Sequence, residues 1–227
     1  MPTMTAEYMF RDRSDAGRQL AAHLLRYADT HPVVLALPRG GVPVAFEVAK
    51  VLKAPLDLVL VRKIGAPGQP ELAVGAVAEG PEEQIFINPF FAGTDLLMPR
   101  YIEDERAHQM QEIERRRAMY LNGRDRAEVA GHTAIVVDDG IATGATMRAA
   151  LRAVRHRAPR RLVLAVPVGP SDTLDMMRLE ADDIVCVATP ESFHAVGEFY
   201  RDFHQVADEE VRDLLQRSDV LLDPSRR

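Results

Sequence analysis

Two adjacent acids, Asp138 and Asp139, follow the apolar run 135–137 and precede the turn 143–146, whose sequence is Thr-Gly-Ala-Thr. Such a turn at the start of a helix offers free backbone N–H groups and two hydroxyl groups, which together suit a phosphate group. Gly144 lets that phosphate approach the backbone closely. Carboxylates a few residues upstream suit sugar hydroxyl groups or a magnesium ion. The combination predicts a site for a phosphorylated sugar.

Two simpler interpretations of this segment exist. In the first, Thr143 merely caps the following helix and the two acids are solvated loop residues. The second is a haloacid-type phosphatase, which needs another Asp two residues after the first acid, where this chain has Gly140. The full pattern of strand, acid pair, loop and Thr-Gly-x-Thr turn favours the sugar phosphate.

A second candidate anion site follows the apolar run 33–37. Gly40 and Gly41 lie between a predicted strand and a predicted helix, where they expose backbone N–H groups. Arg39 adds a forked cation that suits phosphate oxygens. The alternative is a plain turn between a strand and a helix.

A third candidate lies at Arg62 and Lys63, at the end of another predicted strand. The stretch 63–71 contains two glycines and two prolines, which predicts an exposed loop. Taken alone, the two basic residues are equally well explained as surface charges.

The elements around these residues alternate between helix and strand. Apolar spacing predicts helices over 14–30, 42–53, 95–121, 143–157 and 171–180, and strands over 33–37, 56–61, 73–79, 84–87, 133–137, 161–168 and 183–187. This order indicates an α/β fold with an open, mostly parallel sheet and helices on both faces. Ligands of such sheets bind beyond the carboxyl ends of the strands, where the three candidate sites lie.

The amino-acid composition narrows the kind of protein and its possible partners further. The chain has 227 residues, of which 47% are hydrophobic and 27% charged, so we expect a folded single domain. A net charge of −6 disfavours binding to nucleic acid or to an anionic membrane. The single cysteine, Cys186, excludes an internal disulfide and predicts a small buried side chain. We see neither a secretion signal nor a membrane-spanning stretch, and expect a cytoplasmic protein.

At these residues the chain resembles the type I phosphoribosyltransferases, and residues 10–215 are similar to a bacterial subfamily of predicted phosphoribosyltransferases. The segment 136–146 resembles that family's motif for 5-phosphoribosyl-1-pyrophosphate. The resemblance implies that Asp138 and Asp139 hold the ribose hydroxyl groups, with Mg²⁺ close to them. It assigns the donor's 5′-phosphate to Ala142, Thr143, Gly144, Ala145 and Thr146.

The resemblance also implies a role for the other two candidate sites. The turn at Arg39, Gly40 and Gly41 corresponds to a pyrophosphate loop, which in the family often contains a cis peptide bond. Arg62 and Lys63 would contact the pyrophosphate, and the loop after them would close as a lid.

A fourth segment, 189–203, resembles the acceptor region of the purine enzymes. It implies that Phe193 stacks on the acceptor and that Val196 lies beside it; the alternative is that these side chains are core residues. Asp202 stands one residue further along than the family's metal-proximal Asp. Ala142 replaces an Asp that acts as the base in some relatives, so a base would have to come from elsewhere, such as Glu71 or Glu79.

The expected activity is transfer of a 5-phosphoribosyl group to a nitrogenous, purine-like acceptor, with Mg²⁺ and release of pyrophosphate. The rival hypothesis is a regulator on the same fold that senses the donor or binds nucleic acid. We expect one domain over 1–227, with a helical insertion over 88–125 and a hood built from the N-terminal segment and 189–205. A homodimer is compatible with this layout.

Overall fold

A computed structural model of the chain describes residues 9–79, 84–87, 91 and 98–222. The helices are α1 (Arg13–Leu24), α2 (Gly41–Leu52), α3 (Pro99–Leu121), α4 (Ala145–Arg155), α5 (Ser171–Met177) and α6 (Asp208–Leu222). The strands are β1 (Pro32–Ala36), β2 (Leu56–Leu58), β3 (Val61–Ala66), β4 (Gln69–Ala78), β5 (Gln84–Ile87), β6 (Thr133–Val137), β7 (Arg161–Val168) and β8 (Asp183–Ala188). None of the described helices is both long and apolar enough to span a membrane.

The main sheet has five strands in the order β2-β1-β6-β7-β8, and every neighbouring pair is parallel. The predicted parallel α/β architecture is therefore confirmed. In the centre of the sheet, β1 pairs with β6 so that Ala36 lies beside Val137. The turns that follow these two strands consequently start side by side, although residues 37–132 separate the strands in the chain.

Strand side chains alternate between two apolar cores. Val34 and Ile135 pack with α1, α2 and α6 on one face of the main sheet. Leu35 and Val136 pack with α4 and α5 on the other. Each fully buried aliphatic side chain contributes about 1.5–3 kcal/mol, so both faces hold the strands, and hence their carboxyl ends, in place.

The second sheet corrects one prediction. Residues 63–71 do not form a loop, because β3 and β4 pair as an antiparallel hairpin, with register shifts on either side of Gly65. Pro67 and Gly68 alone form its turn. The glycines and prolines that suggested a loop lie at the turn and within the strands beside it.

Several predicted boundaries shift. The first helix ends at Leu24 and continues as a 3₁₀ helix over Leu25–Thr30, and β2 ends at Leu58. Helix α4 begins only after Gly144, and α5 ends at Met177. Helix α6 was not predicted. Much of the predicted insertion 88–125 is α3, while 88–90 and 92–97 lie outside the described residues.

The N-terminal residues pair with the segment that follows β8. The N–H group of Phe10 donates to the main-chain oxygen of Phe199 at 3.0 Å, and that of Arg201 donates to the oxygen of Phe10 at 2.9 Å. The rings of Phe10 and Tyr200 are 5.2 Å apart and buried. We call residues 9–13 and 189–205 the hood.

Candidate functional site

The glycine turn after β1 and the acid pair after β6 are in direct contact. A Cβ atom on Gly40 would lie 2.1 Å from Oδ2 of Asp139. A Cβ atom on Gly41 would lie 2.8 Å from the main-chain oxygen of Val137 and 2.9 Å from Cα of Asp138. Neither position has room for a side chain, so both glycines are needed for the turn and the acids to share one site.

Asp139 is anchored by residues that the sequence motifs did not reveal. Arg13, only 7% exposed, donates from Nε to Oδ2 of Asp139 at 2.8 Å. The hydroxyl group of Tyr200 donates to the main-chain oxygen of Asp139 at 2.5 Å. The alternative that the acids are solvated loop residues is therefore wrong for Asp139, whose side chain is paired with Arg13. Arg13 lies far away in sequence, and no local spacing pattern could have linked it to the acid.

Asp138 has a different environment. Its Oδ1 accepts the N–H group of Asp139 at 2.9 Å. Burial raises the pKa of Asp138 well above its usual value, and the negative charge of Asp139 raises it further. Burial also raises the pKa of Asp139, but the Arg13 guanidinium opposes that shift. A cation or hydroxyl donors bound at the pair would favour the ionised form of both acids.

The turn before α4 is open to an anion. Ala142, Thr143, Ala145 and Thr146 are exposed, whereas Gly144 is buried and has a φ of +76°. The first N–H groups of a helix have no intrahelical partner, and here they adjoin exposed threonines. The hydroxyl group of Thr173 in α5 donates to the main-chain oxygen of Ala142 at 2.8 Å and so fixes the turn to that helix. This geometry suits a phosphate group.

Arg39 is linked to two helices. The peptide bond between Pro38 and Arg39 is cis. The Arg39 guanidinium lies 3.5 Å from the carboxylate of Asp208 in α6, which also accepts the hydroxyl group of Tyr120 in α3. Burial, together with this hydrogen bond, raises the pKa of Tyr120 to about 12. Asp208 is a neighbour of the glycine turn that sequence reasoning missed, because α6 itself was not predicted.

Arg62 and Lys63 lie on β3 of the second sheet. Arg62 donates from Nε to Oε1 of Gln109 in α3 at 2.9 Å. Burial lowers the pKa of Arg62, and the positive charge of Arg116 lowers it further. Lys63 is half-buried and faces Ala76 across the hairpin. The described contacts of Arg62 therefore connect it to α3 rather than directly to the acid pair.

The predicted acceptor residues lie in the hood. Phe193 is half-buried and stacks on Phe199, with ring centres 5.2 Å apart. Val196 covers Gly140, where a Cβ atom would lie 2.5 Å from its Cγ1. Both side chains pack against the core formed around Phe10 and Tyr200. Val196 therefore lies beside the turn that carries the acids, and both side chains belong to one packed cluster.

The other candidates for a base, a metal ligand or a reactive thiol are not positioned for these roles. Glu79 pairs with Arg117 at 3.4 Å and also with Arg126, so it is not free to act as a base. Asp202 is exposed and hydrogen-bonds to His204. Burial raises the pKa of the Cys186 thiol to about 11, which leaves it unreactive. The described part of the chain contains no cluster of three or more His, Cys, Asp or Glu residues that could hold a metal ion.

The mostly parallel five-stranded sheet flanked by helices, together with the small antiparallel sheet, is the fold of the type I phosphoribosyltransferases. The chain belongs to the phosphoribosyl transferase domain family, whose match covers residues 11–204. Helix α6, which supplies Asp208, begins after the end of that match.

Two similar proteins cover most of the chain. A protein of Mycobacterium tuberculosis described as a "putative phosphoribosyl transferase" is 49% identical over 210 residues, which is 92% of this chain and 47% of the relative. The chain thus spans about half the length of the curated relatives that it matches. The crystal structure of TT1426 from Thermus thermophilus is 45% identical with a TM-score of 0.79, covering 91% of this chain and 97% of that one.

Proposed function

We propose that the chain transfers the 5-phosphoribosyl group of 5-phosphoribosyl-1-pyrophosphate to a nitrogenous acceptor. A bond forms between the acceptor nitrogen and C1 of the ribose, while the bond from C1 to the pyrophosphate oxygen breaks. Pyrophosphate leaves with the electron pair, and the acceptor nitrogen releases its proton to water. The observation that carries this proposal is the contact of Gly40 and Gly41 with Asp139 and Asp138 at one sheet edge.

Each part of the donor has a matching group. The turn 142–146 takes the 5′-phosphate, which anchors the donor away from the bond that breaks. Asp138 and Asp139 accept hydrogen bonds from the ribose hydroxyl groups. The N–H groups of Gly40 and Gly41 and the guanidinium of Arg39 receive the pyrophosphate.

In this proposal, Arg62 and Lys63 approach the same pyrophosphate from the second sheet. Helix α3 contacts both regions, Arg62 through Gln109 and Asp208, the partner of Arg39, through Tyr120. These contacts lie about 16 Å apart along the helix, so the proposed approach requires the lid closure described below.

The acid pair fits a magnesium ion that is bound together with the donor. Mg²⁺ commonly uses one or two carboxylates plus substrate phosphates and water, so a cluster of three protein ligands is not required. Asp138 would be its protein ligand, since Oδ2 of Asp139 is already paired with Arg13. When bound, Mg²⁺ neutralises charge that develops on the departing pyrophosphate.

The acceptor is proposed to be a planar heterocycle that stacks on Phe193 beside Val196. Replacing Phe193 with Ala is expected to raise the KM for the acceptor by roughly 5- to 150-fold, the range for loss of one stacked base. Donor affinity measured by calorimetry is expected to stay near that of the wild type.

Phe199→Ala, which removes the ring that supports Phe193, serves as the comparison. Core packing alone predicts that both variants lose similar stability, measured by thermal melting, and bind the donor less well in parallel. That result would remove Phe193 from the acceptor site.

The β3–β4 hairpin is proposed to act as a lid. Its turn at Pro67 and Gly68 is exposed. The free energy needed to open the hairpin is therefore expected to be lower than that needed to open the core. Trypsin cleavage after Lys63 is expected to slow in the presence of donor and Mg²⁺. Cleavage after Arg178, an exposed residue directly after α5, is the internal control. Equal slowing at both positions would indicate global stabilisation and not lid closure.

The direct test of the activity is release of pyrophosphate from the donor, with Mg²⁺, across a panel of purines, pyrimidines and amines. Release that depends on one acceptor class is the expected result and identifies that class. If no acceptor supports release and calorimetry detects no donor binding, the proposal is wrong.

A further inference from the structure

Arg13 approaches the acid pair from α1, an element that carries none of the phosphate motifs. Its Nε donates to Asp139 at 2.8 Å, and its Nη1 donates to the main-chain oxygen of His204 at 2.7 Å. Its guanidinium carbon lies 3.9 Å from the centre of the Phe203 ring. Because these contacts hold the guanidinium on several sides and the side chain is 8% exposed, its orientation is well defined.

Asp139 is restrained from other directions as well. Gly40 leaves no room behind its carboxylate, and the hydroxyl group of Tyr200 holds its main-chain oxygen. Tyr200 and His204 both belong to the hood, as does Arg13 itself. Asp139 is therefore held in place by residues of the hood. Asp138 instead accepts a hydrogen bond from the N–H group of Asp139.

We infer that Arg13 is a positioning residue, which holds the Asp139 carboxylate in the orientation that receives the donor ribose and ties it to the hood. This inference rests on the proposed function. The buried guanidinium is engaged by Asp139 and His204, so Arg13 acts through Asp139 and need not touch the donor. Loss of a group that orients a metal-binding side chain typically costs about 10- to 100-fold in metal affinity or activity, and we expect a loss of similar size here.

A purely structural role can be separated from this one, because the chain contains a comparable ion pair elsewhere. Arg124 donates to both carboxylate oxygens of Asp219 at 2.9 and 2.6 Å and to the main-chain oxygen of Leu56 at 3.2 Å. Like Arg13, it is largely buried and joins an acid to a backbone carbonyl. It lies between α3 and β6 and does not contact the acid pair.

The experiment measures donor affinity by calorimetry, in Mg²⁺, together with melting temperature. Arg13→Met is expected to weaken donor binding by about 10- to 100-fold. Arg13→Lys, which can donate to Asp139 but cannot also hold His204, is expected to fall between Arg13→Met and the wild type. Arg124→Met is expected to lower the melting temperature while donor affinity remains within about twofold of the wild type, because distant sites act independently.

A second variant keeps the test decisive if Arg13→Met does not fold. Tyr200→Phe removes one hydrogen bond to Asp139 and is expected to weaken donor binding by about 2- to 10-fold. Tyr27→Phe, which removes a hydroxyl contact to Asp183, is its control and is expected to leave affinity unchanged.

The outcomes separate the two proposals. Donor binding by the wild type and equally by the folded Arg13 variants overturns the inference and leaves the proposed function standing. Equal weakening by Arg124→Met also overturns it, because the effect is then one of general stability. If the wild type itself does not bind the donor, the proposed function fails and the inference with it.

Discussion

Replacement of both Asp138 and Asp139 by Asn is expected to lower the affinity for 5-phosphoribosyl-1-pyrophosphate at least about 100-fold in the presence of Mg²⁺. Hydrogen bonds to charged groups contribute about 1.5–3 kcal/mol each, so the loss of two accounts for this factor. The substitution keeps the shape of both side chains and removes their charge. Calorimetric titration with the donor measures the effect.

The same variant is expected to be less stable than the wild type, since Arg13 is left without its anionic partner. A matched control is available at the opposite edge of the sheet, where Asp182 and Asp183 form another adjacent pair of acids. Asn at both of those positions breaks ion pairs with Arg155 and Arg26 but is expected to leave donor affinity unchanged. Donor binding that survives in the Asp138/Asp139 variant would refute the sugar-phosphate site.

Gly41→Ala is expected to reduce kcat/KM about 100-fold, which is the cost of misplacing reacting groups by roughly 1 Å. The new Cβ atom would lie 2.8 Å from the main-chain oxygen of Val137 and 2.9 Å from Cα of Asp138. Both contacts are with backbone that is held in the centre of the sheet, so the glycine turn must move away from the acids.

Ala181→Val is the control for the loss of stability that accompanies this effect. Ala181 is a buried core residue just before β8, at the amino ends of the strands, so its larger side chain also overpacks the core but does not adjoin the turns. Each substitution is expected to cost about 1–3 kcal/mol of stability. Steady-state kinetics and thermal melting of both variants distinguish the two effects, and equal losses of kcat/KM would argue against a specific role for the Gly41 contact.

Much of the parallel sheet, and the position of both turns at its carboxyl edge, could be predicted from the sequence. Buried strands of a parallel sheet are short apolar runs, and the run 133–137 is followed by two acids and a Thr-Gly-Ala-Thr turn, a combination typical of a phosphate site at a strand end. The glycine turn after 33–37 follows the same logic. Local patterns of this kind place a motif at the end of a strand, and the sheet then brings the motifs together.

The supporting residues could not be predicted in this way. The contacts of Asp139 with Arg13 and Tyr200 join distant parts of the chain. Tyr200 lies in the segment 189–203 that suggested an acceptor region, but nothing in the sequence linked either side chain to Asp139. The β3–β4 hairpin resembles a loop in the sequence because its prolines and glycines dominate the local signal, whereas the cross-strand pairing that overrides it is a tertiary effect.

The pairing of β1 with β6 has a consequence for how the chain acquires its site. Residues 32–36 can pair with 133–137 only after the intervening segment has been looped out, and such non-local pairing costs chain entropy before its contacts form. During synthesis the glycine turn emerges well before the acid pair, and one edge of β1 then has no partner strand. A nascent chain that ends before β6 would therefore carry only one of the two turns, and the step that pairs β6 with β1 is also the step that brings the turns together.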